Sequence, residues 1–213
     1  MTLPSSQNIT RVVLDNGITI LVYENFAAQS VVLQGSLQIG SAYEPLDQNG
    51  LAALTASALM RGTTTRDFTA IHEALEDVGA DIGVSSGWYR TNMSGKSLAE
   101  DLPILLDVLA DVLRNPTFPE ALVDRLRGEV LTGLRIRSQD TRYRANRAFY
   151  EALYPEGHPY HASVRGSEES VAQLRAADLA TFHKASYGAQ GMIIVVVGAI
   201  NAPDAVELVR ARF

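Results

Sequence analysis

Imidazole and thiol side chains, the ones most often used to hold zinc, are few in this chain. It has four histidines and no cysteine, which excludes disulfides, cysteine nucleophiles and thiolate metal sites. His158 and His161 stand three apart in a Pro-Tyr turn; as a metal pair they would need a third ligand, and none is evident. His72 sits beside Glu73 and Glu76, where a solvated helix face is a simpler reading than an acid–base set. His183 has Lys184 next to it and no catalytic companion. Ser57 has no neighbouring base to activate it and reads as a small packing residue. Gly95-Lys96-Ser97 lacks the preceding glycine of a phosphate loop. Arg135, Arg137, Arg142, Arg144 and Arg147 form a basic cluster, read as a solvated face paired with acids or, more sharply, as a partner-docking surface.

The elements that must position these residues follow from pattern. Arg11–Leu14 and Ile18–Tyr23 are apolar runs flanking Asp15-Asn16-Gly17, a hairpin signal. Val31–Ile39 alternates as a half-buried strand does. Asn49 is placed to cap a helix over Gly50–Met60. Asp67 or Thr69 caps a second helix, Ala70–Val78, with Gly79 just past its end. Ile82–Ser86 and Trp88–Ser94 read as a hairpin around Gly87. Leu98–Leu113 carries a leucine stripe at helical spacing, stopped by Asn115-Pro116. Pro119 suits the first turn of a long helix reaching about Gln139, and Thr141–Leu153 is a further helix. Met192–Ile200 closes the pattern as a strand.

One helix carries a family's flanks without its chemistry. Residues 41–63 read SAYEPLDQNGLAALTASALMRGT. Gly40-Ser41, Glu44-Pro45, Asn49-Gly50-Leu51-Ala52 and Arg61-Gly62-Thr63 resemble the flanks of the inverted zinc motif H-x-x-E-H in pitrilysin-type (M16) metallopeptidases. In that ungapped register the two histidine positions are Ala53 and Ser57, and the glutamate position is Ala56. The later segment FPEALVDRLRGEVLTGLR resembles the helix that supplies the third ligand, and its register puts Gly133 there. A zinc peptidase needs two imidazoles and a carboxylate on the metal and a base for its water. Glu129, the nearest carboxylate, lies a helical turn from Gly133 and reads as a solvated helix residue. The resemblance therefore implies a domain with no metal and no cofactor of its own, zinc being expected only in an active partner.

The likeness continues through Tyr154-Pro155, Gly157-His158-Pro159-Tyr160, Gly166-Ser167-Glu168-Glu169, Asp178-Leu179, and a closing strand in which Ala199 replaces the usual aspartate. It covers residues 9–213, leaving 1–8 as an N-terminal extension. It implies a two-layer α+β half-domain, a mainly antiparallel sheet with helices packed on one face. Hairpins alternating with helices point to the same class. Active family members carry two such halves on one chain, and the LDNG opening favours the first. The resemblance also implies a peptide-binding edge strand at Asp81–Ser86, with Ile82, Gly83, Val84 and Ser85 as its contact residues.

Composition narrows the rest. With 213 residues, 46% hydrophobic, the chain can bury a sizeable core. A net charge of −6 without a basic domain argues against nucleic acid. No apolar run is long enough to span a bilayer, and MTLPSSQ does not read as a signal peptide, which favours the cytoplasm. Two functions compete. One is a non-catalytic subunit that closes against an active M16 half around an unfolded peptide. The other is a structural assembly protein like the family's core-protein relatives in respiratory complexes.

Overall fold

The computed structural model describes residues 5–213. Of the extension read at 1–8, residues 1–4 lie outside the described part. Residues 5–8 form a turn in which Ser5 N donates to Asn8 Oδ1 at 2.6 Å.

The first hairpin joins β1 (Thr10–Val13) to β2 (Thr19–Glu24). Gly17 closes its turn at φ 91, donating to Leu14 O at 2.9 Å; glycine takes that backbone without a Cβ penalty. The remaining strands are β3 (Ser30–Leu37), β4 (Asp81–Ser86), β5 (Thr91–Leu98) and β6 (Ile193–Gly198). They form one sheet in the order β1-β2-β6-β3-β5-β4. Only the β2–β6 pairing is parallel.

Alternation decides which face is covered. Ile20, Val22, Val31, Leu33, Met93, Ile194 and Val196 are buried on one side, while Val32, Gln34, Asn92 and Lys96 point to the open side. Helices α1 (Leu51–Ala58), α2 (Phe68–Glu76), α3 (Leu102–Arg114) and α8 (Ala202–Arg210) pack against the strands. Outside them lie α4 (Glu120–Ser138), α5 (Thr141–Leu153), α6 (Glu168–Gln173) and α7 (Ala176–Ser186). The α3 helix is the centre of the core: Leu105, Leu106, Val108, Leu109 and Val112 are all fully buried. Gly95 lets it approach, because a Cβ there would lie 3.1 Å from the Leu105 methyls. Gly95-Lys96-Ser97 is thus mid-strand in β5, not a phosphate loop.

Local readings are corrected in several places. Leu98 is not helical: it ends β5, paired with Ser30, and is exposed. Its spacing to Leu102 mimics a helical repeat, but α3 begins only at Leu102. The β5 strand begins at Thr91, with Gly87–Arg90 making the turn. Asn49 does not cap α1. Gly50 takes that position at φ 97, and α1 stops at Ala58 before a short 3-10 turn over Leu59–Arg61. Asp67, not Thr69, caps α2, accepting from Ala70 N at 2.8 Å. The sequence reading had no counterpart of α8.

Candidate functional site

The α1 helix is pinned at its start, and the segment that follows it is pinned to α3. At its N-terminus the Glu44 carboxylate does what Asn49 was expected to do. Glu44 Oε1 accepts from Gly50 N at 3.0 Å and Asn49 Nδ2 at 2.9 Å, and Oε2 accepts from Ala52 N at 2.9 Å. These backbone donors have no partner within the helix, and the helix dipole favours an anion there. Burial nevertheless pushes the Glu44 pKa up, against the hydrogen bonds from Ala52, Gly50 and Asn49. The α6 helix and the loop before it hold the same corner. Ser170 Oγ donates to Asn49 O at 2.7 Å, and Asn49 Nδ2 also donates to Ser163 O at 3.0 Å.

Past α1 and its 3-10 turn, residues 63–66 are held by Asp111 of α3. Its carboxylate accepts from Thr63 Oγ1 (2.6 Å), Thr65 Oγ1 (2.7 Å), Arg66 (2.8 Å) and Asn115 Nδ2 (3.0 Å). Burial alone would raise its pKa, but these donors together hold it below the ordinary carboxylate value. Sequence reasoning missed this role. Asp111 is far from Thr63 in the chain, and no local pattern announces the pairing.

Between these anchors the α1 surface is chemically blank. Ala53 is half-buried, Ser57 exposed and Ala56 fully buried. Ser57 Oγ donates back to Ala53 O at 3.0 Å, with no base beside it. Gly133 lies on α4 in the wall of a cavity of about 240 Å³ that Leu126, Glu129, Arg137 and Arg165 also line. A Cβ at Gly133 would meet nothing within 4 Å. Glu129 is not simply solvated: it pairs with Arg61 and Arg125, each at 3.2 Å. Zinc requires imidazole, thiolate or carboxylate ligands, and none of Ala53, Ala56, Ser57 or Gly133 offers one. These residues do not fit a zinc ion. Among the described residues no group of three or more His, Cys, Asp and Glu is placed to hold a metal.

The histidines are committed locally. His158 Nδ1 accepts from Tyr160 N at 3.1 Å and its ring stacks on Tyr154; His161 Nδ1 donates to Tyr154 O at 2.8 Å. His72 packs against Phe68. His183 donates through Nε2 to Leu113 O at 2.9 Å and stacks on Tyr187, and burial lowers its pKa. Of the arginine cluster, Arg135 pairs with Glu168 and Arg147 with Glu151, whereas Arg137, Arg142 and Arg144 have no salt bridge among the described residues.

The strand carrying Ile82, Gly83, Val84 and Ser85 is β4, which pairs only with β5 and stands at the sheet edge beside α1. Its end is tied to the segment leading into Glu44. Ser41 N donates to Gly87 O at 3.0 Å and Ala42 N to Trp88 O at 2.8 Å. A Cβ on Gly40 would strike these carbonyls at 2.4–2.5 Å.

Comparison with known proteins places this arrangement. The family model Insulinase (Peptidase family M16) matches residues 20–159. The chain is 27% identical over 203 residues to a probable mitochondrial-processing peptidase subunit beta of Arabidopsis thaliana, covering 94% of this chain and 38% of that protein. It is 27% identical over 201 residues to cytochrome b-c1 complex subunit 1 of Bos taurus, covering 94% and 41%. A crystal structure of a peptidase M16 inactive domain from Pseudomonas fluorescens superposes with TM-score 0.89 at 26% identity, over 96% of this chain and 50% of that one. The chain belongs to peptidase family M16. It spans half or less of the length of these relatives.

Proposed function

We propose that this is a non-catalytic M16 half that pairs with a zinc-bearing M16 half or subunit, the two enclosing a chamber for an unfolded peptide. One observation carries the reading: the scaffold of the zinc helix is intact while its chemistry is gone. Glu44 still holds the start of α1, and Asp111 the segment that follows it, yet Ala53, Ala56, Ser57 and Gly133 present no ligand and no base. Zinc and hydrolysis then belong to the partner. The β4 edge, with Ile82, Gly83, Val84 and Ser85, offers a peptide backbone hydrogen bonds that do not depend on sequence.

Association is the property to measure. The chain is mixed with an M16 chain from the same source carrying H-x-x-E-H, and studied by sedimentation. A stable complex, with zinc in the partner alone, is expected. Two chains that sediment independently at micromolar concentration, or zinc bound stoichiometrically by this chain alone, would refute the pairing.

A second reading has support of its own. The bovine relative, a subunit of the cytochrome b-c1 complex, is as similar as the processing-peptidase relative, at 27% identity each. On that reading the chain is a structural assembly subunit with no peptide to hold. A complex with the partner that neither binds peptide nor changes cleavage would favour it.

A further inference from the structure

A pocket of about 240 Å³ opens where α4, α5 and the loop before α6 meet, just past the end of the β4 edge strand. Its lining is rich in donors: Trp88, Arg137, Tyr143, Arg147, Tyr150 and Arg165 contribute, and no carboxylate lines it. Arg147 is already engaged by Glu151 and His161 O. Arg137 and Arg165 have neither a salt bridge nor a side-chain hydrogen bond among the described residues. The buried indole N–H of Trp88 has no partner either. A buried donor without an acceptor is costly, and the two exposed arginines face the same pocket with no counter-charge in its lining. Burial, and then the charge of Arg137, lower the pKa of Arg165, with Tyr143 acting the other way. The whole chain is acidic, at −6, so this local excess of positive charge runs against its balance.

We propose that this pocket binds an oxyanion between Arg137 and Arg165, with Trp88 at its wall. Planar guanidinium groups suit carboxylate and phosphate oxygens, which can take two parallel hydrogen bonds from one side chain. Two sources share that chemistry: a carboxylate of a peptide, and free inorganic phosphate. Trp88 stands two residues beyond Ser86, the last residue of β4. A peptide lying along that edge and continuing past Ser86 brings a side chain to the pocket, or its C-terminus if it runs parallel to β4. The peptide source rests on the reading of β4 as a peptide-accepting edge; the phosphate source does not.

Trp88 is the only tryptophan, so its fluorescence reports on the pocket alone. The 213-residue chain is titrated with inorganic phosphate, with an acidic peptide ending in a free carboxylate, and with its amidated, acid-free counterpart. Each is set against sodium chloride at matched ionic strength, which separates binding from screening. A saturable change with phosphate or the acidic peptide, absent with chloride, is expected. The double variant Arg137→Gln/Arg165→Gln, with circular dichroism checking its fold, is expected to bind at least about tenfold more weakly. Binding by phosphate but not by the acidic peptide would keep the anion site and remove the peptide from it. Binding by the acidic peptide, and not by its amidated form, would assign the site to peptide carboxylates. No saturable change with either anion, or undiminished affinity in a folded double variant, would overturn the proposal. Calorimetric titration of the unmodified chain with phosphate gives the same decision should the double variant fail to fold.

Discussion

Glu44 is one residue on which α1 depends. Glu44→Gln keeps one acceptor oxygen but turns an amide group toward a backbone N–H, and Glu44→Ala leaves three donors unmet. Either change is expected to lower stability by about 1–3 kcal/mol, read by chemical denaturation; a loss under about 0.5 kcal/mol would contradict the anchoring role. The blank positions are not equivalent. Ala56 is fully buried and Ser57 exposed, so Ala56→Glu is expected to cost about 2 kcal/mol or more by burying an unpartnered carboxylate. Ser57→His should change stability by less than about 0.5 kcal/mol. Equal effects in thermal melts would show that the helix face has been misplaced. Titration adds a signed test. His183 has its pKa lowered from 6.5, so the unfolded chain binds more protons, and stability falls as pH drops below 6.5 toward the folded value. Asp111 is lowered from 3.8, so its stabilising contribution is present above 3.8 and is lost as pH falls through the folded value. Glu44, raised from 4.5, acts oppositely, its contribution being lost as pH rises from 4.5 through the folded value. His183→Gln should flatten the slope just below pH 6.5 in denaturation curves and leave the Asp111 region unchanged; an unaltered slope would remove His183 from the balance.

The elements show what the sequence could and could not tell. Alternation and turn chemistry marked β1, β2 and β3, and the span Thr141–Leu153 of α5 coincides with its reading, because those signals are local. Leu98 misled because helical spacing runs on past the true start of α3. The Asn49-Gly50 corner misled because Gly50 makes the turn and Glu44 reaches across it, a side chain whose partners lie six and eight residues on. Asp111 and the pocket beside Trp88 were illegible for the same reason: both join segments that only the tertiary fold brings together. The α1 corner also depends on Gly166, whose backbone meets Asn49. At Gly166 φ is +77 and a Cβ would lie 2.5 Å from Asn49 O, whereas Gly79, at φ +59, has nothing within 4 Å. Gly79→Ala should cost only the left-handed penalty of about 1–2 kcal/mol. Gly166→Ala should cost clearly more, because backbone must move. Similar melting temperatures for the two variants would show that the corner is not rigid.

For the whole molecule, the proposed pairing turns on a chain whose Ala53, Ala56, Ser57 and Gly133 offer no metal ligand. The chain covers 38% and 41% of the two named relatives, and its open sheet face, β4 edge and donor-rich pocket are the surfaces the proposed pairing would use. The most direct measurement is the rate of peptide cleavage by the zinc-bearing M16 partner, alone and with increasing amounts of this chain. No cleavage by this chain alone, and a rise in partner activity that saturates near one chain per partner, is the expected result. Full activity of the partner alone, unchanged by this chain, would contradict a shared peptide chamber, as would hydrolysis by this chain without the partner.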